Sequence, residues 1–328
     1  MSLKNIKTGS PPSPLRILIY GTPGIGKTTF AANIPGALFL TCEDGGGDLD
    51  YARVDVGSWA ALVSTLEEAD RDGLPEGFRA LVLDTVNGYA EKCGEFVCNR
   101  ARVDSLEEVG GGFGKGFTAV QEEQAKVRDL LDRIRVKHSI HIVLIGHAHV
   151  KTFNDPTGPS FDRYMLRMNE KVASVWTAWA DVVGFATMNV IVKGGKRGKE
   201  IDDPMAKGKA TSGERMIYLS SDASYEAKNR YSLPDELPLS WPAFAKAIGW
   251  AKREEVLTPK PVTRADAEAA LVAALAGADV AAEDAAAFLD SLEAKAAGDW
   301  RKVQGWISGA AQTKLLKGIA DARSTGGK

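Results

Sequence analysis

Residues Gly21-Thr22-Pro23-Gly24-Ile25-Gly26-Lys27-Thr28 match the pattern G-x-x-x-x-G-K-[ST] in full. The apolar, β-branched run Leu15–Tyr20 precedes them, and Thr28-Thr29-Phe30-Ala31-Ala32-Asn33 reads as the first turns of a helix. Strand, glycine loop and helix in that order make a phosphate-binding loop, because glycines let backbone N–H groups close around phosphate oxygens. The pattern implies that residues Gly21 to Thr29 hold a nucleoside triphosphate. Lys27 would reach the β- and γ-phosphates, and Thr28 would offer its hydroxyl to Mg²⁺. A chance glycine-rich turn would need the strand and helix to fall in register by accident. A loop of this kind also commits the chain to an α/β architecture.

Candidate strands are Leu15–Tyr20, Ala37–Thr41, Arg53–Val56, Arg79–Asp84, Ile140–Gly146 and Asp181–Thr187. Candidate helices are Lys27–Asn33, Ser58–Arg71, Val86–Arg102, Phe117–Lys137 and Met168–Trp179. Near-continuous apolar strands such as Ile142-Val143-Leu144-Ile145 suit a parallel sheet covered on both faces, so the expected class is α/β, doubly wound. Three segments break the alternation: glycine-dense Val109–Gly116, polar Lys151–Arg167, and Gly- and Lys-rich Lys193–Gly213. The last lies between β-like runs Asn189–Val192 and Met216–Ser220 and reads as a hairpin with a long tip. The expected division is a flexible lead at 1–14, a nucleotide-binding core at 15–252, a Pro-containing linker at 253–262 and an Ala-rich helical region at 263–328. Helices are expected there over Arg264–Ala276, Glu283–Ala296 and Asp299–Ala322.

Composition excludes some classes. With 44% hydrophobic and 26% charged residues, the 328-residue chain is an ordinary globular one. No run is long and apolar enough to span a membrane, and Met1–Pro14 does not read as a signal peptide. Cys42, Cys93 and Cys98 form no disulfide framework, which fits a reducing cytoplasm. A net charge of −2 and a pI near 6.2 carry no global nucleic-acid signature, so any such contact must be a local patch.

A phosphate loop needs an acidic partner for Mg²⁺ at a strand end, and Ala80-Leu81-Val82-Leu83-Asp84 supplies Asp84. The plain alternative is an Asp that caps the next helix. Hydrolysis needs a group to activate water. The strand ending Thr41-Cys42-Glu43-Asp44 offers Glu43 first and Asp44 second, against the alternative of a solvated acidic loop. The strand Ile140–Gly146 delivers His147-Ala148-His149 to the same edge, with His147 the candidate γ-phosphate sensor. A zinc site is the rival for the two histidines, but no Cys-x-x-Cys or His-Glu-x-x-His accompanies them.

This ordered set resembles the RecA-like P-loop ATPases, which include the RecA recombinases, the DnaB helicases and KaiC. Gly21–Thr28, the strand ending in Glu43, Asp84, the strand ending in His147 and Lys228-Asn229-Arg230 carry the likeness. Lys228 and Arg230 look like the Lys-x-Arg finger of the DnaB and KaiC branches, where such a pair acts across a subunit interface. Ile17–Ala31, Gly114-Lys115-Gly116, Gly146-His147, Ala180–Gly184 and Ala227–Arg230 are similar to phage-encoded nucleotide-binding proteins, among them single-strand annealing recombinases of the Sak type. The resemblance spans residues 15 to 250 and implies ATP and Mg²⁺ as cofactors, self-assembly into rings or filaments and action on single-stranded DNA in recombination. The sensor is His where RecA has Gln, so RecA's own coupling does not carry over in detail.

In RecA-like proteins two loops facing the ring or filament axis contact single-stranded DNA. Here their positions offer Phe113, Lys115 and Phe117, then Lys151, Phe153, Arg163, Tyr164 and Arg167. Lys193, Lys196, Arg197, Lys199, Lys207 and Lys209 add a basic tract. Interleaved cations and aromatics suit backbone tracking and base stacking without sequence readout, although surface loops carry such residues routinely. The competing readings are a helicase-class motor or its loader, a KaiC-like regulatory ATPase with a protein client, and a nucleotide kinase, which Lys228 and Arg230 disfavour. A single-strand-binding protein is a candidate partner for the tail.

Overall fold

Alternate residues of Arg16–Gly21 (β1) are sealed into two different apolar clusters: Ile17 and Ile19 on one face, Leu18 and Tyr20 on the other. A strand with period-two side chains must be apolar throughout when both faces are covered. Each of these four side chains is at most 1% exposed. Burying one contributes about 1.5–3 kcal/mol before the entropy of ordering is set against it. The loop that follows is therefore mounted on a rigid strand.

The computed structural model describes residues 12–43, 49–155, 158–192, 208–257, 263–275, 280–296, 298, 300–308, 310 and 312–325. Its sheet has a parallel core in the order Val182–Val192 (β7), β1, His141–Phe153 (β5), Ala80–Asp84 (β4), Ala37–Thr41 (β2), Arg53–Asp55 (β3). Gly208–Tyr218 (β8) runs antiparallel beside β7, and Glu236–Pro238 (β10) closes that edge. Lys228–Asn229 (β9) also pairs with β7, and Phe161–Leu166 (β6) folds back on β5. The helices Trp59–Asp72 (α2), Val86–Ala101 (α3), Lys115–His138 (α4) and Glu170–Trp179 (α5) cover one face through Leu62, Leu66, Tyr89, Leu131 and Trp176. The other face takes Lys27–Ala32 (α1), Trp241–Ile248 (α6) and Trp250–Leu257 (α7) through Phe30, Trp241, Phe244 and Trp250.

This is a doubly wound α/β fold, and several boundaries differ from the sequence expectation. The strand expected over Ile140–Gly146 continues to Phe153, and Lys151–Arg167, read as a polar loop, is largely the β5–β6 hairpin. Phe153 against Phe161 (ring centroids 5.4 Å apart) and the Thr152 hydroxyl bonded to Asp162 (2.8 Å) supply cross-strand pairs that polar composition concealed. α6 and α7 were not anticipated. Ser240 caps α6 by accepting from the Ala243 N–H, and the helix ends at Gly249 in the left-handed conformation. Since α7 reaches Leu257, residues 253–257, assigned to the linker, are helical. Residues 258–262 lie outside the described set, as do Asp44, Lys196, Arg197 and the rest of 193–207, while the end of the tip expected over Lys193–Gly213 is strand, since β8 begins at Gly208.

The chain divides into two compact units between Leu257 and Thr258. The second contains Arg264–Ala274 (α8), Ala282–Ala296 (α9), Trp300–Ser308 (α10) and Gln312–Thr325 (α11). The last two replace the single helix expected over Asp299–Ala322. The unit has its own core of Leu271, Phe288, Leu289, Val303, Ile307 and Leu315, and a Thr263–Asp266 capping box opens it. A chain ending at Leu257 should therefore be a folded protein with unchanged nucleotide affinity. Circular dichroism and a nucleotide titration check this; aggregation of the shortened chain would contradict it.

Candidate nucleotide site

β5 separates β1 from β4, so the glycine loop ending β1 and Asp84 ending β4 flank the middle of β5. In register, Gly21 stands beside His147 and Asp84 beside Ile145. A cavity of about 290 Å³ opens there, lined by Gly26, Lys27, Thr28, Glu43, Asp84 and His147 among others. A larger cavity of about 690 Å³ lies between α3, α4 and the start of α5. We place the nucleotide in the smaller one because the phosphate loop and the candidate catalytic groups converge on it.

Lys27 is 5% exposed and donates from Nζ to the carbonyls of Gly21 (3.1 Å) and Thr22 (2.9 Å). Burial lowers its pKa to about 8, against the opposing charge of Asp84. Thr28 donates from Oγ1 to Asp84 Oδ2 at 2.9 Å. Burial holds the Asp84 carboxyl above its ordinary range; the Thr28 hydrogen bond and Lys27 pull the other way. A desolvated carboxylate touching a hydroxyl is a hard-oxygen pair, which fits Mg²⁺. The helix-cap alternative for Asp84 is settled by its neighbour: Thr85 caps α3, its Oγ1 accepting from the Gly88 N–H at 3.1 Å.

The same Thr85 hydroxyl donates to Glu43 Oε1 at 2.9 Å. One carboxylate oxygen of Glu43 is thereby fixed, and among the described residues the other has no hydrogen-bond partner. Gly88 makes room for this arrangement, because a Cβ there would fall within contact distance of Glu43 Oε1 and Cys42 Sγ. Gly88→Ala is expected to displace Glu43 and lower turnover by ~10-fold or more while nucleotide binding persists. Single-turnover kinetics beside a binding titration separate the two effects; unchanged turnover would show that Glu43 needs no such support.

His147 lines the cavity, and burial, then the charge of Lys27, lowers its pKa. It is wired to its surroundings through Asn87, whose Oδ1 accepts the His147 N–H (2.6 Å) and whose Nδ2 donates to the Arg167 carbonyl. The Arg167 N–H in turn donates to the His147 carbonyl at 2.8 Å. The middle of β5, the first turn of α3 and the residue that follows β6 are thus one hydrogen-bonded unit. His149 lines a different cavity, beside Lys171 and Met168, so the two histidines do not converge as a shared metal site would require.

The other sequence candidates lie elsewhere. Lys228 donates to the Thr177 and Ala178 carbonyls (3.1 and 2.7 Å), and Arg230 pairs with buried Asp181 (3.1 Å), which Arg16 also holds. Both stand toward the amino-terminal ends of β1 and β7, away from the loop of their own chain. Phe113 is 99% exposed at a positive φ of 56°, and Lys115 donates to the Gly110 carbonyl. Lys151 pairs with Glu170, and Arg167 approaches Glu91 at 3.6 Å. Arg163 donates to the Ser221 hydroxyl and to the Asp222 and Tyr225 carbonyls, with its guanidinium 5.7 Å from the centre of the Phe153 ring. Thr85 and Arg215, which line the cavity, and Asn87 and Gly88, which stand behind its lining residues, are not marked by the sequence motifs. Only Thr85 carried a local signal, as a capping residue directly before a helix.

Among the described residues no helix is long and apolar enough to cross a membrane. No curated protein gives a significant match to the chain. A family model described as an AAA domain matches residues 13–231, which include every element that lines the cavity. The chain belongs to the AAA domain family of P-loop ATPases.

Proposed function

We propose that the chain hydrolyses ATP and uses the cycle to act on single-stranded DNA in recombination, by annealing or strand exchange. The observation that carries the DNA part is the length of β5. One strand runs from His147, in the nucleotide cavity, to Phe153 at an exposed hairpin where Phe161 and Arg163 gather beside it. A change at the γ-phosphate has a continuous, hydrogen-bonded path to a cation–aromatic surface.

In the chemical step Glu43 takes a proton from water, and the resulting oxygen nucleophile attacks the γ-phosphorus. The bond to the β-bridging oxygen breaks, releasing ADP and phosphate. Lys27 and the loop amides hold the phosphate oxygens where charge spreads in the transition state. Thr28 and Asp84 would hold Mg²⁺, which would neutralise phosphate charge when bound. His147, kept neutral by burial, offers a hydrogen bond that disappears with the γ-phosphate.

Lys228 and Arg230 lie away from their own phosphate loop, so a finger role is open to them only at the nucleotide of a neighbouring copy. Specific activity should then rise with protein concentration. Constant activity in a monomeric protein would remove the finger. DNA action is tested by fluorescence anisotropy of a labelled single strand and a duplex, with ATP and Mg²⁺, at low and high salt. Salt-sensitive preference for the single strand, weakened in Phe153→Ala, is expected. Absence of binding at low salt would end the DNA reading and favour a protein client.

A further inference from the structure

We propose that Arg215 is a phosphate-contacting residue of the nucleotide site, acting on the nucleotide of its own chain. The inference rests on the nucleotide reading above and adds a cation that no sequence motif marks. Along β8 alternate residues Arg215 and Ile217 share a face, and Leu219 just past the strand follows them into the same core. Ile217 and Leu219 are fully buried in the cluster that contains Phe30 and Ile34, the α1 side of the sheet. Because β8 runs antiparallel to β7, its earlier residues lie toward the phosphate-loop end, which puts Arg215 one step beyond this core. Its backbone is held there by pairing with Met188, and its carbonyl accepts from the Leu239 N–H at 2.7 Å.

The guanidinium reaches the loop itself. A Cβ built on Gly26, whose φ of 105° already favours glycine, would lie 2.8 Å from Arg215 Nη1. Arg215 also lines the cavity shared by Lys27, Thr28, Asp84 and Glu43. Among the described residues its side chain has no hydrogen-bond or ion-pair partner, whereas Arg16, Arg163 and Arg230 are each engaged. The charge balance points the same way. Asp84 and Glu43 outnumber Lys27 in the cavity, and a triphosphate adds further negative charge. A planar fork of N–H donors at the loop's edge suits phosphate oxygens.

The test is a titration of wild type, Arg215→Ala and Arg215→Lys with fluorescent ATP and ADP in Mg²⁺, with nucleotide-free melting as control. Arg215→Ala is expected to weaken nucleotide binding by about tenfold or more, with partial recovery in Arg215→Lys. Melting should be unchanged, since the side chain is exposed. Wild-type affinity in Arg215→Ala would overturn the inference while leaving the nucleotide reading intact. So would a variant that binds nucleotide normally but loses single-stranded DNA in nucleotide-free buffer, which would assign Arg215 to nucleic-acid phosphate. A wild-type protein that binds neither nucleotide would overturn the nucleotide reading, and this inference with it.

Discussion

Glu43→Gln is expected to bind ATP nearly as wild type does and to turn it over ~10²-fold or more slowly. The substitution keeps the size and hydrogen-bonding shape of the side chain. An amide oxygen can still accept from the Thr85 hydroxyl, which the carboxylate meets at 2.9 Å. What is lost is the basicity that removes a proton from water. Phosphate binding depends on Lys27 and the loop amides, so affinity and turnover should separate. Equal loss of both would make Glu43 a structural residue. Unchanged turnover would move the base to another carboxylate, with Asp44 the next candidate in sequence.

Lys27→Ala should instead abolish tight binding, with a loss of ~10–10²-fold expected for one charge-assisted contact. The fold should survive, because the ammonium's present partners are two carbonyls of its own loop. Wild-type affinity should carry a pH signature of the same group. In the nucleotide-free protein burial brings Lys27 from 10.5 to about 8. Phosphates favour the charged form and raise the pKa, so binding takes up a proton above that value. Affinity should be level below pH 8 and fall by up to about tenfold per unit above it. Stability of the nucleotide-free protein has the opposite sign. The unfolded chain holds this proton to higher pH, so Lys27's contribution to stability increases between 8 and 10.5. A pH-independent affinity from 7 to 9.5 would show that Lys27 is not the titrating contact.

The groups legible in sequence were those whose partners are fixed by local pattern. Gly21–Thr28 is a contiguous motif, and Asp84 and Glu43 end apolar strands whose direction a parallel sheet dictates. Asn87 was not legible, because its role comes from meeting His147 across 60 residues. Gly88 carries no signal in sequence, because its role comes from Glu43 lying against it. Arg215 reaches the loop through the register of an antiparallel pair, beyond a Gly- and Lys-rich stretch that conceals where the strand begins. Helices α6 and α7 have eight residues each, too short for a 3.6-residue period to emerge. Lys151–Arg167 misled in the other direction, because an exposed hairpin keeps polar side chains on a strand and composition alone reads as loop.

Steady-state ATP hydrolysis by the full chain in Mg²⁺, with and without single-stranded DNA, tests the coupling of this site to nucleic acid most directly. The expected result is Mg²⁺-dependent turnover that rises on adding the single strand and is lost in Lys27→Ala. Turnover indifferent to DNA, or turnover that persists in Lys27→Ala, would contradict it.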